Sequence, residues 1–455
     1  MGRHAADNRP KRATVNASAA AGGFGPARVA LAGGLILAFV LTLVGLGLLW
    51  PRGDAPEPEA GFRETQSMAS EAVAGEVVGT PAGACGSPDV GRVFDGAPAP
   101  GGPPPGAPGG PGGPGGPGGQ PGTPPGAPAE TPAEGGSGDG GCSVAIVDIM
   151  DGPDEGRRTL LQTSGMPGDP ELSEGDEILL AKHENPDGSA LYAFLDMNRT
   201  VPLGAWLAVT ALAIVAVAAW RGVRAIVGLA VTLALMGVFL IPALLRGGPP
   251  VALAVVVGAA ILFPVMFLVH GVNWKSAAAL GGTLTSLVVS AGLAHLAIGS
   301  ANLRGLADDS NLLIQLYLPT VSVTGLMLAG FIVGTLGVLN DVTIAQASTV
   351  TELAEADPGA RPMALFTSAM RVGRDHIASM VYTLVLAYMG AALPMTLLLA
   401  VVDRPLTQVL TSDVVATELL RSAVGALGLT LAVPVTTIIA AVTATTVRSA
   451  RAARA

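Results

Sequence analysis

The chain has 455 residues, 50% of them hydrophobic and 13% charged, with a mean hydropathy of +0.55. A soluble domain carries about 25% charged residues, so this composition excludes an ordinary soluble domain and points to an integral membrane protein. The net charge of −9 averages over unlike parts, and no basic, aromatic-interleaved stripe suited to nucleic acid is present.

Residues 1–28 read as a disordered tail with Arg3, Arg9, Lys11, Arg12 and Arg28. The first apolar run, Val29–Trp50, is too long for the ~7–15-residue core of a cleaved signal, and no small-x-small site follows it. An uncleaved anchor helix is expected. Residues 51–201 are acidic and hold both cysteines, Cys85 and Cys142. Within them, alternating apolar residues over Glu71–Val78, Val144–Ile149, Arg158–Gln162, Asp176–Ala181 and Leu191–Leu195 predict short strands. A small β-rich domain over 61–93 and 142–199 is therefore expected, interrupted by a Gly/Pro-rich insert at 94–141 that reads as an extended spacer. A Cys85–Cys142 bridge across that insert would close a loop of about 57 residues and remove on the order of 4 kcal/mol of unfolded-chain entropy.

Seven further apolar runs approach the ~20 residues that span a bilayer. They are Leu203–Trp220, Val223–Leu245, Val251–Val269, Ser276–Ile298, Val321–Leu339, Ile377–Val402 and Ala423–Val447. The expected fold class is a mainly α, polytopic bundle of about eight spans, one anchor plus a seven-helix domain over 203–447, with a tail at 448–455. The first two of the seven are joined only by Arg221-Gly222, which predicts a hairpin. If the spans alternate, the tail cations, Arg221, Arg224, Lys275, Arg361, Arg371, Arg374, Arg448, Arg451 and Arg454 all fall on one side. Basic short loops face the cytoplasm, so both termini are expected inside and residues 51–201 outside.

The candidate functional residues cluster late in the chain. Gly330, Gly334 and Gly337 stud one run; their small-xxx-small spacing suits close helix packing. Asn340 and Asp341 end that run. Asp341 reads either as a helix N-cap or as a carboxylate handling a proton or cation. Glu352 follows, before the break at Asp357-Pro358-Gly359. Met363–Met370 reads as a short interfacial helix. Arg371 and Asp375 are spaced to pair at i, i+4 beside Arg374 and His376. His295 is a lone membrane histidine, read as a proton relay or a structural group. The motifs of nucleotide-binding loops, zinc proteases and serine-hydrolase elbows are all absent, so no catalytic residue, metal or cofactor is expected and an enzyme is disfavoured.

The run G-x-x-x-G-x-x-G-V-L-N-D-V from Gly330 to Val342, the Ala347–Leu353 piece, Gly373-Arg374-Asp375 and Thr383–Pro394 together resemble the YibE/F-like family of bacterial multipass membrane proteins. Gly175-Asp176-Glu177 and Asp196–Arg199 extend the resemblance toward the N-terminal half, while the Gly/Pro insert and the N-terminal tail depart from it. The resemblance implies architecture and location in the bacterial cell membrane, without a mechanism. The expected function is a permease-like component. The alternative is a non-transporting scaffold that binds protein through its acidic outer domain. Expected partners are the lipid bilayer and a second copy or another membrane protein, and the substrate stays open.

Overall fold

A computed structural model describes residues 25–53, 71–81, 87, 89–96, 98, 143–163, 168–185, 188–306, 309–401 and 405–452. Cys85 and Cys142, and with them the expected bridge, lie outside the described residues. The chain divides into two compact units, residues 59–210 and residues 1–58 with 211–455.

The first unit is a six-stranded antiparallel sheet: β1 (Glu71–Gly79), β2 (Val93–Phe94), β3 (Ser143–Ile149), β4 (Arg158–Thr163), β5 (Glu177–Glu184) and β6 (Ala190–Met197). The strand order is β2-β4-β3-β1-β5-β6. The five strands expected from alternation all form. β2 is added, and its Phe94 belongs to the stretch read as insert. Val73 and Val77 point inward from β1, Val147 and Ile149 from β3, and Ile178 and Leu180 from β5, giving one buried cluster with Tyr192. The sheet closes on itself at Gly91. Its N–H donates to the Leu160 carbonyl at 2.7 Å, and its carbonyl accepts from the Tyr192 N–H at 2.7 Å. Gly91 has φ +80°, and a Cβ there would lie 2.7 Å from the Tyr192 carbonyl oxygen, so only glycine fits. Through these two bonds Gly91 ties β4 to β6, the two sides of the sheet. The Tyr192 hydroxyl donates to Asp154 at 2.8 Å. Burial, reinforced by the Asp154 carboxylate, pushes its phenol well above the ordinary tyrosine range.

The second unit is helical. Its elements are α1 (Pro26–Leu48), α2 (Thr200–Leu235, which starts in the preceding unit), a π turn (Met236–Leu240), α3 (Ile241–Leu245), α4 (Pro250–His270), α5 (Trp274–Ala301) and α6 (Asp309–Tyr317). They are followed by α7 (Val323–Ala356), α8 (Pro362–Ala391), α9 (Leu393–Val401), α10 (Leu406–Leu410) and α11 (Asp413–Ala452). Among the described residues, six helical runs are long and apolar enough to cross a membrane, or seven if α8 and α9, bent by 67°, count as one span.

The runs differ in detail from the sequence reading. Leu203–Trp220 and Val223–Leu245 form one helical stretch broken at Ala219, whose φ of 49° is not helical. Gly222 sits against the backbone of Ile214, with a Cβ there falling 2.6 Å from the Ile214 carbonyl oxygen. Residues eight apart on a straight helix are about 12 Å apart, so the chain turns back sharply here. The Val321–Leu339 run and the polar segment after it form the single helix α7, because nothing breaks the backbone ladder before Asp357-Pro358. Asp341 is thus inside a helix and caps nothing; Ser322 is the N-cap. Met363–Met370 likewise continues into the next apolar run as α8, with Arg371–His376 in mid-helix. The break comes later, before Pro394, which has no N–H to continue the ladder.

Candidate functional site

Four helices pack most closely in the second unit: α5, α7, α8 and α11. Their mutual faces carry polar residues at helical spacing. On α11 these are Glu418, Arg421, Ser422, Gly425, Gly428 and Thr436. On α7 they are Thr335, Thr343 and Gln346, and on α5 Thr283, Ser286 and Ser290. Contacts set the layers. A Cβ on Gly428 would meet Ser290, one on Gly282 would meet Thr436, and one on Gly373 would meet Gln346 and Val433. One on Gly425 would lie 2.6 Å from Leu384 and 3.2 Å from Thr335. These pairings run α5 and α8 antiparallel to α7 and α11.

The glycines are what let polar side chains enter a membrane-type bundle, where small residues permit close helix approach. The Thr283 and Thr343 hydroxyls meet at 2.6 Å between α5 and α7. Most other threonines return their hydrogen bonds to their own helix, as Thr437 does to Val433 at 2.6 Å and Thr443 to Ile439 at 2.7 Å. Thr436 does not. Its Oγ1, the Oγ of Ser286, Ser290 and Ser422, and both amide atoms of Gln346 are buried with no hydrogen-bond partner among the described residues. Gln346 is 0% exposed. A buried polar group without a partner costs about 1–3 kcal/mol, so several along one seam is an arrangement a purely structural core would avoid.

One end of the seam is charged. Arg421 pairs with Glu418 at 3.1 Å, and its guanidinium carbon lies 5.2 Å from the Phe331 ring centre and 5.6 Å from that of Tyr388. Two rings and one carboxylate fix it, while its buried Nε has no partner among the described residues. Beside it is a cavity of about 290 Å³ lined by Gly330, Asn311, Met327, Thr417, Glu418 and Arg421. From Glu418 to Thr436 the seam covers about 27 Å of helix, close to the ~30 Å hydrocarbon thickness of a bilayer.

A family model described as YibE/F-like protein matches residues 206–446, which contain every seam residue. The chain belongs to the YibE/F-like family. The β unit lies almost wholly outside the matched segment. No curated protein and no solved structure matches the chain.

Within this family member the expected site residues fall in several places. Gly334 is the one of the three glycines that meets a neighbour: a Cβ there would lie 2.7 Å from the Tyr388 hydroxyl. Gly330 lines the cavity at the charged end, and Gly337 faces open space. Asn340 buries an Oδ1 that has no partner among the described residues, and its side chain bonds to Asp341. Asp341, Glu352, Arg371, Arg374, Asp375 and His295 are exposed and share no cavity among the described residues. Arg371 donates to Ser368 at 3.4 Å and makes no ion pair with Asp375 among the described residues. The Nδ1 of His376 is buried and has no hydrogen-bond partner among the described residues. Sequence reasoning missed Gln346 and Arg421 as seam residues. The available signal was that Glu418, Arg421, Ser422, Gly425 and Gly428 continue the helical spacing of Thr436 upstream of the apolar run.

Proposed function

We propose that the helical unit is a permease-like component of the bacterial cell membrane, in which the seam between α5, α7, α8 and α11 passes or binds a small polar solute or ion. The observation that carries this reading is Gln346. It is fully buried, packed against Gly373, and its amide is satisfied by no group among the described residues. A polar visitor to the seam would supply the missing partners.

Eight spans follow if the long run is divided at Ala219 and α8–α9 counts as one. The antiparallel packing of the four seam helices supports that alternation. The Lys/Arg distribution then puts both termini in the cytoplasm, the β unit outside, and the Glu418–Arg421 end of the seam outermost. No step in this reading needs an enzyme activity.

A metabolite and ion profile of a deletion strain names the solute, and flux in proteoliposomes tests the seam. Gln346→Leu, close in size but apolar, is expected to reduce flux at least tenfold at normal abundance. Unchanged flux sinks the reading. The exposure of Asp341, Asp375 and His295 favours the second reading, a scaffold whose membrane face is covered by a partner, because ionisable groups on lipid-facing helices are costly. In that case Asp341→Asn with Asp375→Asn changes the oligomeric state in detergent and leaves flux alone.

A further inference from the structure

Away from the seam, α1, α2 and α4 enclose an apolar groove of about 980 Å³, lined by Leu35, Phe39, Leu235, Phe263, Phe267 and Trp274 among others. Phe39 and Phe263 meet edge to face at 5.1 Å inside it. Its volume is that of a small-molecule site. At one end Asn273 and Trp274 also line a second cavity of about 660 Å³, which is polar. Four charges face that cleft: Arg28 and Lys275 on one hand, Glu355 and Asp357 on the other. The Arg28 guanidinium sits 4.8 Å from the Trp274 ring centre, and its Nε donates to the Thr443 carbonyl at 3.0 Å. Arg28 is thus held at the junction of the two cavities, and its terminal nitrogens make no hydrogen bond among the described residues. Lys275 makes no ion pair among the described residues. A tryptophan and two cations at the end of a membrane-depth apolar groove is the arrangement of a bilayer interface.

We propose that the two cavities together bind one phospholipid with a zwitterionic headgroup that carries a primary ammonium. An acyl chain lies in the groove between Phe39 and Phe267. The phosphate sits at Arg28 and Lys275, and the ammonium donates to Glu355 and Asp357. Charge complementarity selects this occupant. A purely anionic headgroup would satisfy the two cations and leave two carboxylates facing its negative charge. A quaternary ammonium offers no N–H to those carboxylates, whereas charge-assisted hydrogen bonds are the stronger kind.

The test uses the full chain in nanodiscs with Trp50, Trp206 and Trp220 replaced by Phe, leaving Trp274 as the reporter. Phosphatidylethanolamine, phosphatidylcholine and phosphatidylglycerol with brominated acyl chains are titrated separately, and Trp274 quenching is followed. Half-quenching is expected at about threefold lower mole fraction for phosphatidylethanolamine than for the other two, a factor in keeping with exposed ion pairs. Glu355→Gln with Asp357→Asn should erase that preference over phosphatidylcholine. The Asn keeps the acceptor for the Gly359 N–H, which Asp357 bonds at 2.8 Å, so the turn survives. Equal quenching by all three lipids, a preference for phosphatidylglycerol, or an unchanged preference in the double variant overturns the proposal. If the triple Phe variant folds poorly, native mass spectrometry of the chain with all four tryptophans, counting retained lipid of each class, decides between the same outcomes.

Discussion

In the β unit, Val73, Val77, Val147, Ile178 and Leu180 fill the interior, while Arg157, Arg158, Asp148 and Asp154 pair with one another near the surface. In the helical unit, the corresponding inward positions include Ser286, Ser290, Gln346 and Thr436, and these find no partner among the described residues. The contrast follows from solvent. A sheet in water is held by removing apolar side chains from water, so polar groups are mostly sorted outward; Thr159, fully buried with no Oγ1 partner among the described residues, is the exception. A bundle in lipid gains nothing by that sorting, because lipid is as apolar as leucine. Its helices associate through small residues and polar contacts, and the interfaces between them can collect polar side chains. In the helical unit those polar atoms exceed the partners that the described residues offer.

The largest expected effect lies on the β side. Leu180→Ala removes a fully buried side chain beneath Gly75 and should cost about 2–5 kcal/mol, read as earlier proteolysis of the 59–210 unit with the helical unit still intact. If both units become labile together, they do not fold independently. On the helical side, Arg421→Ala leaves Glu418 without its cation. The pair is partly exposed, at 27% and 16%, so the loss should be about 3 kcal/mol, the low end for a broken buried ion pair, seen as lower detergent-resistant thermal stability. Glu418→Gln with Arg421→Met should restore most of it.

A third change sharpens the role of the glycines. Gly428→Ala drives a methyl into Ser290 Oγ and should cost about 1–3 kcal/mol. Removing that oxygen leaves the Ser290 Cβ at 3.4 Å, an ordinary contact, so Gly428→Ala with Ser290→Ala should recover stability non-additively. Additive losses would mean that the seam is not packed as described. The smallest effect is a pH dependence confined to the β unit. Tyr192 has a raised folded-state pKa, so its contribution is complete below the unfolded value of about 10 and is lost as pH rises beyond it. The 59–210 unit should therefore lose stability between about pH 9 and 11 in denaturant titrations, and Tyr192→Phe should flatten that slope.

Much of this architecture was legible from pattern. Alternation over Glu71–Val78 and Val144–Ile149 foretold β1 and β3, because a strand with one buried face has a period of two. Apolar run length foretold the helices. The motif from Gly330 to Pro394 foretold the family. Boundaries failed where a polar segment looked like an ending. Asn340-Asp341 and Arg371–His376 interrupt apolarity without interrupting the helical backbone, since neither contains a residue that removes a hydrogen bond. Closure of the sheet by Gly91 was illegible because it joins strands distant in sequence through backbone atoms alone.

Composition and run length by themselves determined that this chain has an apolar helical unit and a separate strand-forming unit, since both depend on local periodicity. Only the tertiary structure decided which polar residues are buried together. Asp341 and Asp375, conspicuous in sequence, lie exposed. Gln346, Ser290, Thr436 and Arg421, scattered over three helices in the sequence, converge on one seam because glycines on facing helices let them in. Convergence of that kind is set by which helices touch and how closely, and no single helix records its neighbour's face.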